Sequence, residues 1–105
     1  MSFSRPGPVE AARDRLSTVQ DPELGLDIVS LGLVYEIAVD AGRVRVRYSL
    51  TSMGCPMGPM IDRDIRETLM ELEGVEAVDA ELTFDPPWSP ERMSDEAKFL
   101  LGAYT

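Results

Sequence analysis

Arg43-Val44-Arg45-Val46-Arg47-Tyr48-Ser49-Leu50 alternates without interruption, with Val44, Val46, Tyr48 and Leu50 on one side and Arg43, Arg45, Arg47 and Ser49 on the other. Residues two apart share one face of a strand, so this stretch is predicted to be a half-buried strand with a basic outer row. On its N-terminal side Asp40-Ala41-Gly42 reads as a short turn. Before that turn Leu33 to Val39 alternates as well, setting Leu33, Tyr35, Ile37 and Val39 against Glu36 and Ala38. The two strands form an antiparallel hairpin. On the C-terminal side Thr51 to Pro59 carries two glycines and two prolines and reads as a loop. From Met60 onward Ile61, Ile65, Leu69 and Leu72 mark an amphipathic helix ending near Gly74. Val78, Ala80, Leu82 and Phe84 then alternate with Asp79, Glu81 and Thr83, giving a third strand with an acidic outer row. A strand-helix-strand unit in one sheet is a right-handed crossover between parallel strands. The third strand is therefore expected parallel to the second, with Asp79 and Glu81 beside Arg43, Arg45 and Arg47. These arginines read as part of a solvated charged face and not as a ligand site.

The flanks complete the pattern. Pro8 to Val19 is predicted to be a helix, because Val9, Ala12, Leu16 and Val19 recur at helical spacing and Pro8 suits a first turn. Gln20 to Ser30 has no clean period, and Asp21-Pro22-Glu23 with Gly25 marks a turn. Ser89-Pro90-Glu91 opens a last short helix carrying Ala97, Leu100 and Leu101 and stopped by Gly102. The fold class is α+β: a two-layer α/β sandwich in the order helix-strand-strand-helix-strand-helix, with helices on one face of a three-stranded mixed sheet. Residues 1–105 make a single domain with a core of about 9–102.

Composition narrows the function. The 19 acidic residues against 10 basic ones give a formal charge of -9. That balance argues against nucleic acid or an anionic membrane surface as partner and leaves basic protein partners open. One cysteine forms no internal disulfide, and no apolar run is long enough for a signal-peptide core or a membrane span, which points to a reducing cytoplasm. The absence of histidine removes Cys-His pairs, Ser-His-Asp triads and histidine-bound metals.

Three loops are expected at one end of the sheet: Gln20 to Gly32, Thr51 to Pro59 and Asp85 to Met93. They hold Asp21, Glu23, Asp27, Thr51, Cys55 and Trp88. Cys55 sits between a strand end and a helix start, where free N–H groups and the helix dipole favour its thiolate. One thiolate falls short of the four protein ligands a cluster normally takes. Two chains each giving Cys55, or one chain with a client or a small thiol, would complete a labile site suited to a carrier. Asp21 reads as a turn-capping carboxylate. Glu23 and Asp27 stay open between that role and service as oxygen ligand or proton acceptor. Met57, Met60 and Trp88 read as packing residues.

The runs Val19-Gln20-Asp21-Pro22-Glu23, Ile28-Val29-Ser30-Leu31-Gly32-Leu33-Val34, Leu50-Thr51-Ser52-Met53-Gly54-Cys55-Pro56, Pro86-Pro87-Trp88-Ser89-Pro90 and Met93-Ser94 closely resemble the SufT and PaaD-like family of iron-sulfur assembly proteins. The resemblance implies the iron-sulfur cluster assembly fold and a non-enzymatic role in maturing client iron-sulfur proteins. Its cofactor-binding residues fall on Cys55, Thr51, Glu23 and Asp27, with Cys55 as metal ligand, and its acidic motif also takes in Asp21. The cofactor implied is a labile iron-sulfur cluster, bridging two chains of a homodimer or completed by another thiol. The partners implied are client apoproteins and other assembly factors. The chain lacks the long N-terminal extension of full-length SufT proteins and the cysteine-rich C-terminal segment of phenylacetate-pathway PaaD proteins. A PaaD-like accessory role in phenylacetate degradation, a metal-free adaptor and a thiol enzyme using Cys55 as nucleophile with Glu23 or Asp27 as base are the alternatives.

Overall fold

The computed structural model describes residues 8–51 and 56–101. Along the chain, α1 (Pro8–Leu16) is followed by β1 (Gln20–Asp21), β2 (Leu26–Asp27), β3 (Val34–Asp40), β4 (Arg43–Tyr48), α2 (Gly58–Met70) and β5 (Ala77–Leu82). A short 3-10 turn at Pro90–Arg92 then leads to α3 (Asp95–Leu100). The alternating stretch of 43–48 is the centre of a three-stranded sheet ordered β3-β4-β5. It pairs antiparallel with β3 and parallel with β5, as the crossover rule requires. Asp40 and Arg43 close the hairpin over Ala41 and Gly42, whose φ values of 49° and 85° are those of a type I′ turn.

Val44, Val46, Tyr48 and Leu50 are buried with Ile61, Ile65 and Leu69 of α2 and with Ala12 and Leu16 of α1. Helix α1 lies against β3 and α2, and α2 lies against β5. The other face of the sheet is open and charged. Glu36, Asp40, Arg43, Arg45, Arg47, Asp79 and Glu81 are all exposed there. Arg45 registers with Asp79 and Arg47 with Glu81, and ion pairs join Arg43 to Asp79 at 3.6 Å and Arg47 to Glu36 at 3.8 Å. At this exposure each adds little stability. The charged face is solvated, as its sequence pattern indicated, but Ser49, assigned to the same outer row, is fully buried beyond the end of β4.

Several expectations are corrected. Helix α1 stops at Leu16 and not at Val19, because Ser17 Oγ and Thr18 Oγ1 donate to the carbonyls of Asp14 (2.5 Å) and Arg15 (2.7 Å) and so compete with the helical ladder. Val9, assigned to the apolar stripe, is 39% exposed, whereas Val19 is buried beyond the helix end. Gln20 to Ser30 contains the small β1–β2 hairpin, whose strands are too short to show a period. A bulge between Val34 and Glu36 shifts the register of β3, so Val34 pairs with Tyr48 and packs on the core while Tyr35 leaves the apolar row. The C-terminal helix divides in two, with Ser94 Oγ accepting the Ala97 N–H at 3.1 Å to start α3. Only Ala97 of its apolar residues is buried. Leu100 and Leu101 are exposed, since a helix of six residues turns one narrow side inward. Gly102, named as its stop, lies outside the described residues.

Candidate functional site

Backbone geometry draws the loop after β5 onto the segment before β3. Trp88 Nε1 donates to the Leu31 carbonyl at 2.6 Å, Tyr35 Oη to the Pro86 carbonyl at 2.9 Å, and the Ser94 N–H to the Ser30 carbonyl at 2.8 Å. The Arg92 guanidinium lies 4.3 Å over the Tyr35 ring, a cation–π contact. Gly32 permits this approach: its φ is +74°, and a Cβ there would lie 2.1 Å from the Arg92 carbonyl oxygen. The carboxyl end of β4 joins the same junction, because the Ser49 N–H donates to the Leu33 carbonyl at 2.8 Å. Trp88 is partly buried against the core, consistent with a packing role. Met57 also packs there, but half-buried Met60 does not join the cluster.

The acidic residues separate by environment. Asp21 is fully buried, and its Oδ1 accepts the Glu23 N–H at 2.9 Å, making the turn expected of it. Its Oδ2 is buried with no hydrogen-bond partner among the described residues, a rare state for a carboxylate oxygen. The Asp27 Oδ2 accepts the Ser30 N–H at 2.9 Å and so holds the turn after β2. The Glu23 side chain is exposed, and its carboxylate forms no hydrogen bond or ion pair among the described residues. Among the described residues no three acidic or cysteine side chains are grouped to hold a metal ion, so these carboxylates form no cage of their own. Thr51 is half-buried directly after Leu50. Cys55 lies outside the described residues, with Ser52, Met53 and Gly54.

A cleft of about 460 Å³ opens at the carboxyl ends of β4 and β5, beside the first turn of α2, lined by Tyr48, Leu50, Gly58, Pro59, Asp62, Leu82 and Phe84. This is the end of the sheet at which the topology predicted a site. Among the described residues no side chain caps the start of α2 and no acidic residue lies in its first turn, so the positive end of its dipole is unopposed there. A polar chain missed from sequence borders the cleft. Tyr48 Oη donates to Asp62 Oδ2 at 2.6 Å, and Arg66 Nε donates to Asp62 Oδ1 at 2.6 Å. Burial, and then the bond to Asp62, push the Tyr48 phenol well above its ordinary range. The same Asp62 bond raises Arg66. The signals existed in the sequence: a tyrosine in an inward row needs a partner for its hydroxyl, and Asp62 and Arg66 stand four apart on a helix.

Residues 9–81 match the family described as iron-sulfur cluster assembly protein. The chain belongs to that family. It is 47% identical to the Fe-S protein maturation auxiliary factor SufT of Staphylococcus aureus over 80% of its own length and 97% of the relative's. It is 43% identical to the Fe-S protein maturation auxiliary factor YitW of Bacillus subtilis, over 83% of this chain and 86% of that protein. Among solved structures, a Bacillus anthracis domain of unknown function, DUF59, superposes with a TM-score of 0.86 at 40% identity, covering 90% of this chain and 91% of that one. The iron-sulfur assembly domain inferred from the sequence motifs is therefore the fold of this family member.

Proposed function

We propose that this chain helps to mature iron-sulfur proteins in the cytoplasm, handling the cluster as cargo through the Cys55 thiolate. The match to SufT over 97% of that factor's length carries the reading. The local chemistry supports it. Cys55 is the chain's one thiol and precedes α2 by three positions in the sequence, and among the described residues no side chain caps that helix start. Such an end favours the thiolate, the form that ligates iron. Thr51 begins the same loop, and the buried Oδ2 of Asp21, unpartnered among the described residues, is an acceptor open to a donor or cation. Asp21 thus gains weight as a functional carboxylate over Asp27, whose Oδ2 is taken by a backbone N–H. Glu23, exposed at the turn, is free to meet a client or an assembly factor. A cluster lacking its full set of ligands on one chain passes on readily by exchange of thiolates, with no change of oxidation state required.

Anaerobic reconstitution with iron and sulfide, followed by absorption spectra and transfer to an apoprotein client, tests the proposal. Wild type is expected to gain the charge-transfer bands of a cluster and to activate the client. Cys55→Ala is expected to do neither while keeping its cooperative melting curve. Stimulation of the client by Cys55→Ala at the wild-type rate would replace the carrier with a metal-free adaptor.

A further inference from the structure

The two edges of the sheet are treated differently. On β5 the outward carbonyls of Val78 and Ala80 accept Arg66 Nη1 at 3.2 Å and Nη2 at 3.0 Å, so a side chain from α2 closes that edge. On β3 the register locates the free groups. A two-residue turn makes Asp40 and Arg43 a hydrogen-bonded pair, and such pairs alternate along an antiparallel ladder. Glu36, Ala38 and Asp40 therefore turn their N–H and C=O groups to β4, and Ile37 and Val39 turn theirs outward. Among the described residues no backbone hydrogen bond from another segment ends on that outer side. Tyr35, at the bulge, limits the straight edge to residues 36–40.

Charge on the open face indicates what fits. Across the sheet it runs acidic on β3 (Glu36, Asp40), basic on β4 (Arg43, Arg45, Arg47) and acidic on β5 (Asp79, Glu81), each stripe beside its opposite. A strand added beyond β3 continues the alternation only if it is basic. A second copy of β3 fits less well, because antiparallel self-pairing that engages both Ile37 and Val39, centred on Ala38, would set Glu36 of each chain against Asp40 of the other. We propose that the β3 edge is a docking site for an extended segment of a partner protein carrying Lys or Arg at every second position, added as a fourth strand on Ile37 and Val39. The site is separate from the cluster chemistry and stands whether or not Cys55 carries iron.

The test follows backbone amide exchange by NMR in the full chain, with a blocked nonapeptide of alternating lysine and threonine as probe and its glutamate counterpart as control. In the free protein the amides of Ile37 and Val39 are expected to exchange quickly and those of Glu36, Ala38 and Asp40 slowly. The lysine peptide is expected to slow Ile37 and Val39, and the glutamate peptide to leave them unchanged. Glu36→Lys with Asp40→Lys is expected to weaken the lysine peptide by about tenfold or more and to admit the glutamate peptide instead. The milder pair Glu36→Gln with Asp40→Asn checks the loss of affinity if charge reversal disturbs the fold. Three results would overturn the proposal: binding that protects other amides only, affinity unchanged in both variant pairs, or protection of Ile37 and Val39 that rises with protein concentration alone, which would assign the edge to a second copy.

Discussion

At the scale of single residues, Asp21 and Tyr48 are buried polar groups satisfied to different degrees. Asp21 carries one bonded oxygen and one with no partner among the described residues. Asp21→Asn keeps an oxygen for the Glu23 N–H and replaces a buried carboxyl by an uncharged amide of nearly the same shape. Its melting temperature is expected at or above that of wild type, while cluster transfer falls. A variant that unfolds instead would assign Asp21 to the turn alone. The Tyr48 hydroxyl is partnered by Asp62, and Tyr48→Phe is expected to cost about 1.5–3 kcal/mol in urea unfolding at neutral pH, the worth of a hydrogen bond to a charged group. The pH dependence has a definite sign. The folded-state pKa lies above the unfolded value of about 10, so the contribution is whole below pH 10 and is lost progressively as pH rises above it. Wild type is expected to lose stability above pH 10 more steeply than Tyr48→Phe. Parallel slopes would show that the phenol does not govern the alkaline limb.

Among the elements, the contact between the loop after β5 and the segment before β3 depends on the missing side chain of Gly32. Gly32→Ala adds a Cβ against the Arg92 carbonyl at 2.1 Å and holds alanine at a φ of +74°. The expected loss is about 2 kcal/mol or more, with faster amide exchange through residues 85–101, whereas the sheet keeps its protection. Exchange rising equally in β4 would mean that the loop and sheet unfold as one unit. This junction also marks how far the sequence could be read. β3, β4, α2 and β5 each bury one face, and burial of one face forces the periodicity from which strand, helix and parallel crossover were inferred. Position 35 broke the reading because a bulge inserts a residue without altering the local alternation of residue types. The β1–β2 hairpin and the split C-terminal helix are held by Asx turns, a serine cap and backbone bonds to distant carbonyls, none of which has a period. The same distinction applies at the site. Topology located the cleft end, but the Tyr48–Asp62–Arg66 chain arises from tertiary contact between β4 and α2. The different surroundings of Asp21 and Asp27 came from burial, which Asp-Pro-Glu in a turn does not reveal.

For the molecule as a whole, charge and ligand supply act against each other. One cysteine and no histidine leave a single chain short of the four ligands a cluster normally takes; two copies supply two Cys55 thiolates, and oxygen ligands or small thiols are needed for the rest. Yet each copy carries a formal charge of -9, and two such surfaces repel. Without iron, then, the chain is expected to sediment as a monomer at low ionic strength. Loading the cluster is expected to shift it to a dimer, and chelating the iron to reverse the shift. Added salt shortens the range of the repulsion, to about 8 Å at physiological ionic strength, so the holo dimer is expected to tighten as salt rises. Contacts built on ion pairs between the copies would loosen instead. Sedimentation of the reconstituted protein across a salt series, with iron and sulfide assayed in each fraction, measures both effects. A monomer carrying a stoichiometric cluster with no added thiol would rule out bridging by paired Cys55 side chains and would leave carboxylates of the same chain to complete the ligand set.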